Sequence, residues 1–254
     1  MAKIIAVTNQ KGGVGKTTTA INLSALVAES GKRVLLVDVD PQGNATSGVG
    51  KSDADSNTVY EVVLGDAKAG EAILPTGFEN LDLMPTSIEL AGAEIELVTA
   101  ENRESLLKEA LSELRDRYDY IFIDCPPSLS LLTLNALTAA DSVLIPIQCE
   151  YYALEGVGQL VNTVKLMRRK LNPELKIEGI LLTMYDARTN LCAQVAQEVR
   201  NHFRDEAFDT LIPRNVRLSE APSYGMPIHL YDARCAGTAA YRALAAEFIE
   251  RNEV

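Results

Sequence analysis

The sequence predicts an α/β fold, with a mostly parallel twisted sheet and helices on both of its faces. Short β-branched runs alternate with longer segments in which apolar residues recur every three or four positions. We predict strands at about 3–8, 33–38, 81–84, 119–124, 142–147, 177–184 and 208–212. Helices are predicted at about 16–30, 86–98, 101–117, 152–171, 190–203 and 237–252. At 254 residues and 47% hydrophobic content, one domain over 1–254 can bury a substantial core.

Glycine and proline residues indicate where predicted helices end and where loops lie. Gly31 follows the first predicted helix where a C-terminal cap belongs, and Asn172-Pro173 ends the long helix that is predicted to begin at Tyr152. The stretch from Gly48 to Gly70 is rich in small and polar residues. We expect loops and a short peripheral helix there.

Composition narrows the classes of function. The first apolar run, Ile4–Val7, is far too short for a signal peptide or a membrane span, so we expect a cytoplasmic protein. The four cysteines are scattered and make a poor disulfide framework or metal site. Lys and Arg number 24 against 35 Asp and Glu, a formal charge of −11. That charge argues against nucleic acid as a partner unless a local basic patch exists.

The segment 9–18 has the order that a phosphate-binding loop requires, because it follows a buried-strand pattern and leads into helical sequence. Its glycines let backbone N–H groups face phosphates, and the helix N-terminus adds positive potential. Lys16 then reaches the β- and γ-phosphates of ATP, and the Thr17 hydroxyl is a ligand for Mg²⁺. The predicted binding residues are Lys11, Gly12, Gly13, Val14, Gly15, Lys16, Thr17 and Thr18. Gln10 replaces the first glycine of the general pattern, and Lys11 is an additional lysine.

Two further segments supply acidic residues. Asp38 and Asp40 end the second strand, and we expect their side chains to face opposite sides and to have different roles. Asp40 begins a Pro/Gly loop and is predicted to orient the attacking water and to take part in Mg²⁺ binding, whereas Asp38 is structural or an outer-shell partner. Asp124 ends another apolar run at a strand's carboxyl end and is predicted to be a Mg²⁺ ligand, although an isolated Asp there is as often a turn residue.

These segments together resemble the deviant Walker A ATPases, a group of P-loop NTPases, and specifically their ParA/Soj partition group. The resemblance runs from residue 3 to about 250. It rests on the doubled-lysine loop, Asp38-Val-Asp40-Pro-Gln-Gly, Ile123-Asp124-Cys-Pro-Pro, Leu90-Ala-Gly-Ala-Glu94, Gln148-Cys-Glu-Tyr-Tyr-Ala-Leu-Glu-Gly156, Thr183-Met-Tyr-Asp-Ala-Arg-Thr-Asn190 and Ile212-Pro-Arg-Asn-Val-Arg-Leu-Ser-Glu-Ala-Pro222.

The resemblance implies a chromosome or plasmid partition ATPase that forms a sandwich dimer with MgATP. In such a dimer Lys11 would reach the partner's phosphates and make hydrolysis contingent on assembly. The resemblance also assigns adenine recognition to Pro213 and Asn215, and non-specific DNA binding to Arg188 and Arg217. It further implies slow hydrolysis that DNA and a ParB-type centromere-binding partner stimulate, and association with the nucleoid.

Three other functions stay open at this stage. A MinD-like membrane-cycling ATPase shares the loop and the dimer, but its C-terminal helix carries a basic face that residues 241–254 lack. An electron-transfer ATPase with an intersubunit iron–sulfur cluster would need suitably placed cysteines, and Cys125 is better explained as a small buried residue. A nucleotide-dependent switch in which hydrolysis is incidental is the non-enzyme alternative.

Overall fold

A computed structural model describes residues 1–52, 56–151 and 153–253, and its centre is an eight-stranded sheet in the order β3-β4-β2-β5-β1-β6-β7-β8. Every neighbouring pair is parallel except β3 with β4. The strands are β1 Lys3–Val7, β2 Val34–Asp38, β3 Leu74–Pro75, β4 Leu81–Met84, β5 Tyr120–Asp124, β6 Ser142–Gln148, β7 Lys176–Tyr185 and β8 Ala207–Pro213. The predicted α/β fold class is confirmed.

Helices cover both faces of the sheet. They are α1 Lys16–Glu29, α2 Asn44–Gly48, α3 Val59–Leu64, α4 Leu90–Glu96, α5 Leu106–Ser112, α6 Leu131–Ala139, α7 Ala153–Lys170, α8 Asn190–His202, α9 Val216–Glu220, α10 Ile228–Tyr231 and α11 Ala236–Asn252. Short 3₁₀ turns lie at Ala69–Ala72, Leu97–Thr99 and Ala221–Tyr224. Because both faces are covered, β2 and β5 are buried along their whole length. Their sequences are therefore almost continuously apolar and do not alternate between apolar and polar residues.

The predictions miss the helices α2, α6, α9 and α10 and the two-residue strand β3. Helix α6 was missed because it is apolar nearly all round and carries no amphipathic period. The segment predicted as a helix at 101–117 is helical only over α5. The predicted helix start at Tyr152 lies outside the described residues, and α7 is described from Ala153. The short helix expected between Gly48 and Gly70 is α3, which begins with a capping box formed by Thr58 and Glu61.

The topology places one end of the sheet at the candidate site. In parallel strands all the carboxyl ends lie at the same edge, and β1 lies between β5 and β6, where the chain order reverses. The loop from β1 to α1, Asp38 at the end of β2 and Asp124 at the end of β5 therefore meet. Asp38 and Asp124 are register partners on neighbouring strands.

The C-terminal helix α11 is part of the core. It contacts α1 and β8 and buries Tyr241, Leu244 and Phe248. The Tyr241 hydroxyl lies 3.1 Å from the Thr19 hydroxyl on α1, which joins α11 to the helix that follows the phosphate loop. Among the described helices, none is long and apolar enough to cross a membrane.

Candidate nucleotide-binding site

The loop between β1 and α1 has the backbone conformation that phosphate binding requires. Gly13 and Gly15 have φ of +72° and +88°, in the left-handed region that side chains disfavour. Around Gly12 and Gly13 a Cβ atom would meet nothing within 4 Å, so the backbone borders open space. Gly15 is also the N-cap residue of α1, and no side chain caps this helix end. Backbone N–H groups at the N-terminus of α1 are thus available to an anion.

Two side chains hold this loop in place. The Asn9 amide nitrogen donates to the Pro146 carbonyl (2.8 Å), and the Asn9 amide oxygen accepts from the Lys11 N–H (3.0 Å). On the other side, the Thr183 hydroxyl on β7 donates to the Val14 carbonyl (2.8 Å). The loop is therefore fixed to β6 and β7 before any ligand arrives, which reduces the ordering cost of binding.

Lys16 points into the site from the first turn of α1. It is only 7% exposed, and its ammonium group donates to the Lys11 carbonyl (3.1 Å). Burial lowers the pKa of Lys16, and the nearby carboxylate of Asp124 opposes that shift. A buried ammonium beside a glycine loop supplies the point charge that β- and γ-phosphates need.

Asp124 is fully buried at the carboxyl end of β5, and neither carboxylate oxygen has a hydrogen-bond partner among the described residues. Burial and the neighbouring Asp38 raise its pKa well above the ordinary value, although the adjacent Thr17 hydroxyl opposes the shift. An unpartnered buried carboxylate is costly unless something binds it. The oxygens of Asp124 and Thr17 are the hard ligands that Mg²⁺ prefers.

The described residues hold no group of three His, Cys, Asp or Glu side chains that could bind a metal by itself. Mg²⁺ is usually held by one or two carboxylates together with water and substrate phosphates. The donor set of Asp124 and Thr17 therefore fits a magnesium ion that is completed by a nucleotide.

Asp38 and Asp40 lie on the same side of the site, so the expectation that they face opposite sides was wrong. Residues two apart in a strand share a face, and both carboxylates raise the pKa of Asp124. Asp38 is fully buried and accepts hydrogen bonds from the Thr46 N–H and hydroxyl (both 2.8 Å) and from the Asp40 N–H (3.2 Å). Burial raises the pKa of Asp38 to about 6.

The carboxylate of Asp40 accepts fewer hydrogen bonds among the described residues than that of Asp38. One of its oxygens accepts the Gln42 N–H (3.0 Å), and the side chain lines the cleft that also contains Lys16 and Thr17. Asp38 is thus committed to holding Thr46, while Asp40 faces the phosphate end of the cleft. The division of roles predicted for the two residues stays a prediction.

The nucleotide cleft consists of two adjoining cavities. A cavity of about 490 Å³ borders the phosphate loop and Asp40, and a second cavity of about 150 Å³ lies between Thr183, Pro213 and Asn215. Gly15, Thr18, Met184, Leu218 and Ser219 border both cavities. The Asn215 side chain also accepts the Arg217 N–H (2.9 Å) and so caps α9. Together the two cavities have the arrangement that a nucleotide needs: the larger one can take the phosphates and the smaller one the base.

Lys11 lies at the mouth of the cleft rather than inside it. Its side chain is 51% exposed and forms an ion pair with Glu150, which follows β6 in the same chain. Because exposed ion pairs contribute little to stability, Lys11 can leave Glu150 at small cost. The role predicted for Lys11 stays a prediction.

The two arginines predicted to bind DNA lie on different elements, one in the loop after β7 and the other on α9. Arg188 is exposed after β7, and its guanidinium donates to both carboxylate oxygens of Asp186 (2.9 and 2.7 Å). Arg217 lies on α9 and pairs with Glu220 (2.8 Å) and Asp232 (3.5 Å). Both guanidinium groups are solvent-accessible, but each is partly neutralised by a carboxylate of its own chain.

Three residues of the site were not found from the sequence. Thr183 and Met184 end β7, and Met184 has φ of +52°, which turns the chain at the base end of the cleft. Thr46 holds Asp38 from α2. Thr183 and Met184 could have been predicted from their position near the end of a strand. No local sequence pattern indicates that Thr46 belongs to the site.

Comparison with known proteins agrees with this geometry. The model of a family described as an AAA domain matches residues 2–177. The chain is 62% identical over 248 residues to the sporulation initiation inhibitor protein Soj of Bacillus subtilis, covering 97% of this chain and 98% of that protein. It is 56% identical to the chromosome partitioning protein ParA of Myxococcus xanthus, covering 99% and 89%. The chain belongs to the Soj/ParA family of chromosome-partitioning ATPases.

Solved structures place this Soj/ParA family member among relatives of the same fold. A cobyrinic acid a,c-diamide synthase from Mycobacterium smegmatis, solved with ADP and magnesium, has a TM-score of 0.87 and 39% identity over 100% of this chain and 96% of that one. The cell division ATPase MinD of Pyrococcus furiosus has a TM-score of 0.83 and 28% identity over 98% and 99%. As a family member the chain is an ATPase with ATP and Mg²⁺ as cofactors, so the predicted enzyme class and cofactors are confirmed.

Proposed function

We propose that this chain is an ATP-dependent partition ATPase for a chromosome or plasmid, acting as a single domain over 1–254. MgATP drives a sandwich dimer, and the dimer binds DNA without sequence preference and so associates with the nucleoid. Slow hydrolysis, stimulated by DNA and a ParB-type partner, then returns it to monomers. The proposal rests on one observation: the buried phosphate site is built for MgATP, yet Lys11 stands outside it.

The positions of the site residues support a role for each of them in hydrolysis. Lys16 and the N-terminus of α1 bind the β- and γ-phosphates, and Asp124 with Thr17 and Asp40 hold Mg²⁺, which neutralises charge on those phosphates. Asp40 also positions the attacking water at the phosphate end of the cleft. Lys11, released from Glu150, reaches the phosphates of the partner protomer. Pro213 and Asn215 border the adenine end.

DNA binding must overcome the formal charge of −11. Arg188 and Arg217 form a small cationic patch in each protomer. To bind DNA, each arginine must leave its carboxylate partner and pair with a DNA phosphate instead. Two copies of a weak patch on a dimer gain affinity through effective concentration, so ATP controls DNA binding through dimerisation. The same acidic surface favours a basic protein segment as the regulatory partner.

The deciding experiment measures binding to non-specific duplex DNA with ATP, with ADP and without nucleotide. We expect binding only with ATP, and we expect Arg188→Glu/Arg217→Glu to lose it while keeping ATP affinity. Arg169→Glu, a change of equal charge near the end of α7, is the matched control and keeps binding. Equal DNA affinity with ADP and with ATP would contradict the proposal.

Liposomes containing anionic lipid form the second arm of this experiment. A membrane-cycling ATPase would bind them with ATP and would not bind DNA. The buried packing of α11 against α1 and β8 argues against that alternative, because its apolar face is already occupied. We therefore expect no ATP-dependent liposome binding.

A further inference from the structure

Two of the four cysteines lie next to each other in the fold, although they are 43 residues apart in the chain. Cys149 directly follows β6, and Cys192 lies in the first turn of α8. The Cys192 thiol donates to the Cys149 carbonyl (3.4 Å), and each residue is only 6% exposed. Burial raises the pKa of the Cys149 thiol to about 12, and the neighbouring Cys192 thiol adds to that shift. The folded chain thus contains a buried pair of thiols that borders neither nucleotide cavity.

Hydrogen bonds fix the backbone of both cysteines. The Cys149 N–H donates to the Thr183 carbonyl (3.0 Å), so residue 149 continues the pairing of β6 with β7. The Cys192 N–H donates to the hydroxyl of Thr189, the N-cap residue of α8 (3.4 Å). The two thiols therefore meet because the sheet holds one of them and the start of a helix holds the other.

We propose that Cys149 and Cys192 form a reversible disulfide within one chain when hydrogen peroxide oxidises them. The Cys192 thiolate attacks a peroxide oxygen, which leaves a sulfenic acid on Cys192 and releases hydroxide. The Cys149 sulfur then attacks the sulfenic sulfur, the S–S bond forms, and the hydroxyl group leaves as water with the proton of Cys149. The hydroxide takes up the proton that Cys192 lost. Both thiols together give up two electrons and two protons, and one hydrogen peroxide becomes two molecules of water.

Cys192 is the better placed of the two thiols for the first attack. It is the third residue of α8, a helix of 13 residues, and the N-terminal turn of a helix stabilises a thiolate. Burial disfavours the thiolate of Cys149, so Cys149 is assigned the second step. Because both thiols are buried, peroxide must wait for the first turn of α8 to open, and we expect slow oxidation.

The disulfide would join two segments that change partners under the proposed function. Cys149 precedes Glu150, whose carboxylate pairs with Lys11, and the loop that carries Arg188 leads into α8 and Cys192. In the proposed dimer on DNA, Lys11 leaves Glu150 and Arg188 leaves its carboxylate partner. A cross-link restricts the backbone beside both ion pairs, and oxidation therefore lowers ATP-dependent DNA binding. This last step rests on the proposed function, whereas formation of the disulfide does not.

The test treats the full chain with hydrogen peroxide, alkylates the remaining thiols and maps the peptides by mass spectrometry without reduction. We expect a cross-linked peptide pair that contains Cys149 and Cys192 and that dithiothreitol removes. Cys149→Ala and Cys192→Ala should each abolish this pair. Cys235→Ser, at a cysteine that caps α11, is the matched control and should keep it. Peroxide treatment that yields no such pair, or that stops at sulfinic acid on either cysteine, would overturn the proposal. A cross-link between two chains would overturn it as well.

The functional step is measured as ATP-dependent DNA binding before oxidation, after it and after reduction with dithiothreitol. Wild type should lose binding on oxidation and regain it on reduction, and both alanine variants should keep binding throughout. Unchanged binding by cross-linked protein, or equal loss by the alanine variants, would overturn only the link to DNA binding. Reduced wild type that never binds DNA would contradict the partition proposal and leave the disulfide result unaffected.

Discussion

At the residue scale, the site combines groups that are unfavourable in the empty protein. Asp124 is buried without a hydrogen-bond partner among the described residues, Asp38 lies beside it, and Lys16 is buried nearby. Their pKa values are displaced in opposite senses by the same burial, upward for the carboxyls and downward for the ammonium. A nucleotide with Mg²⁺ would bring further opposite charges to Lys16 and Asp124, so we expect its binding to offset part of the cost of burying them.

Asp124→Asn should separate stability from activity. Removing a buried charge without a partner should raise the free energy of unfolding of the nucleotide-free protein by about 1–3 kcal/mol at pH 7.5, while ATP hydrolysis falls more than about tenfold. Urea denaturation and phosphate release measure the two effects. Asp82→Asn is the control, because Asp82 accepts a hydrogen bond from the Tyr118 hydroxyl (2.8 Å) and its replacement should destabilise. A destabilised Asp124→Asn would contradict this account of the site.

His229 should make stability depend on pH. It is 7% exposed, and its Nδ1 has no hydrogen-bond partner among the described residues. Burial lowers its pKa below 6.5; the charge of Glu29 opposes this shift and that of Arg242 adds to it. Below pH 6.5 the unfolded chain therefore binds a proton that the folded chain rejects, and the free energy of unfolding falls as pH drops. Urea denaturation at pH 7.5 and 5.5 should show a smaller loss for His229→Gln than for wild type. His202→Gln, at an exposed position, should behave like wild type.

At the element scale, the glycines show which backbone positions are constrained by packing and which are not. Gly179 lies on β7, where an added Cβ would overlap the ring of Phe208 on the neighbouring strand β8. Gly158 lies within α7, where an added Cβ would meet no atom of the described residues within 4 Å. The same substitution should therefore have opposite effects at the two positions.

Gly179→Ala should lower the free energy of unfolding by about 1–3 kcal/mol, because the core must shift to admit the methyl group. Gly158→Ala should raise it by about 0.5–1 kcal/mol, because alanine loses less backbone entropy in a helix. Chemical denaturation of both variants checks the pair. Equal effects of the same sign would show that propensity rather than packing decides at these sites.

At the scale of the whole molecule, a net charge of −11 must coexist with proposed binding to a polyanion. Only a local cationic patch can bind DNA on such a protein. Its contribution to DNA affinity can be measured by varying the salt concentration, because each DNA phosphate that it neutralises releases counterions. Arg188 and Arg217 would contribute four cations in a dimer. Both arginines are paired with carboxylates of their own chain, namely Asp186, Glu220 and Asp232, so we expect the proposed patch to be weak in a single protomer.

Arg188→Gln/Arg217→Gln should reduce the slope of log K against log salt for ATP-dependent DNA binding by roughly 3–4. Fluorescence anisotropy between low and moderate salt concentrations measures this slope. Arg169→Gln on α7 should leave it unchanged. A double variant with lower affinity but the parental slope would mean that these arginines do not contact DNA phosphates.

The sequence by itself determined the order of the seven longer strands and of most of the longer helices, the phosphate-loop motif and the acidic strand ends, because each is a local pattern of period or motif. It failed at α6, whose helix has no polar face to reveal its period, and at the mutual orientation of Asp38 and Asp40. Tertiary structure alone decided that Thr46 holds Asp38, that Glu150 pairs with Lys11, and that Ile88 borders the loop after Asp40. These are contacts between separate elements, and only the folded sheet brings such residues together.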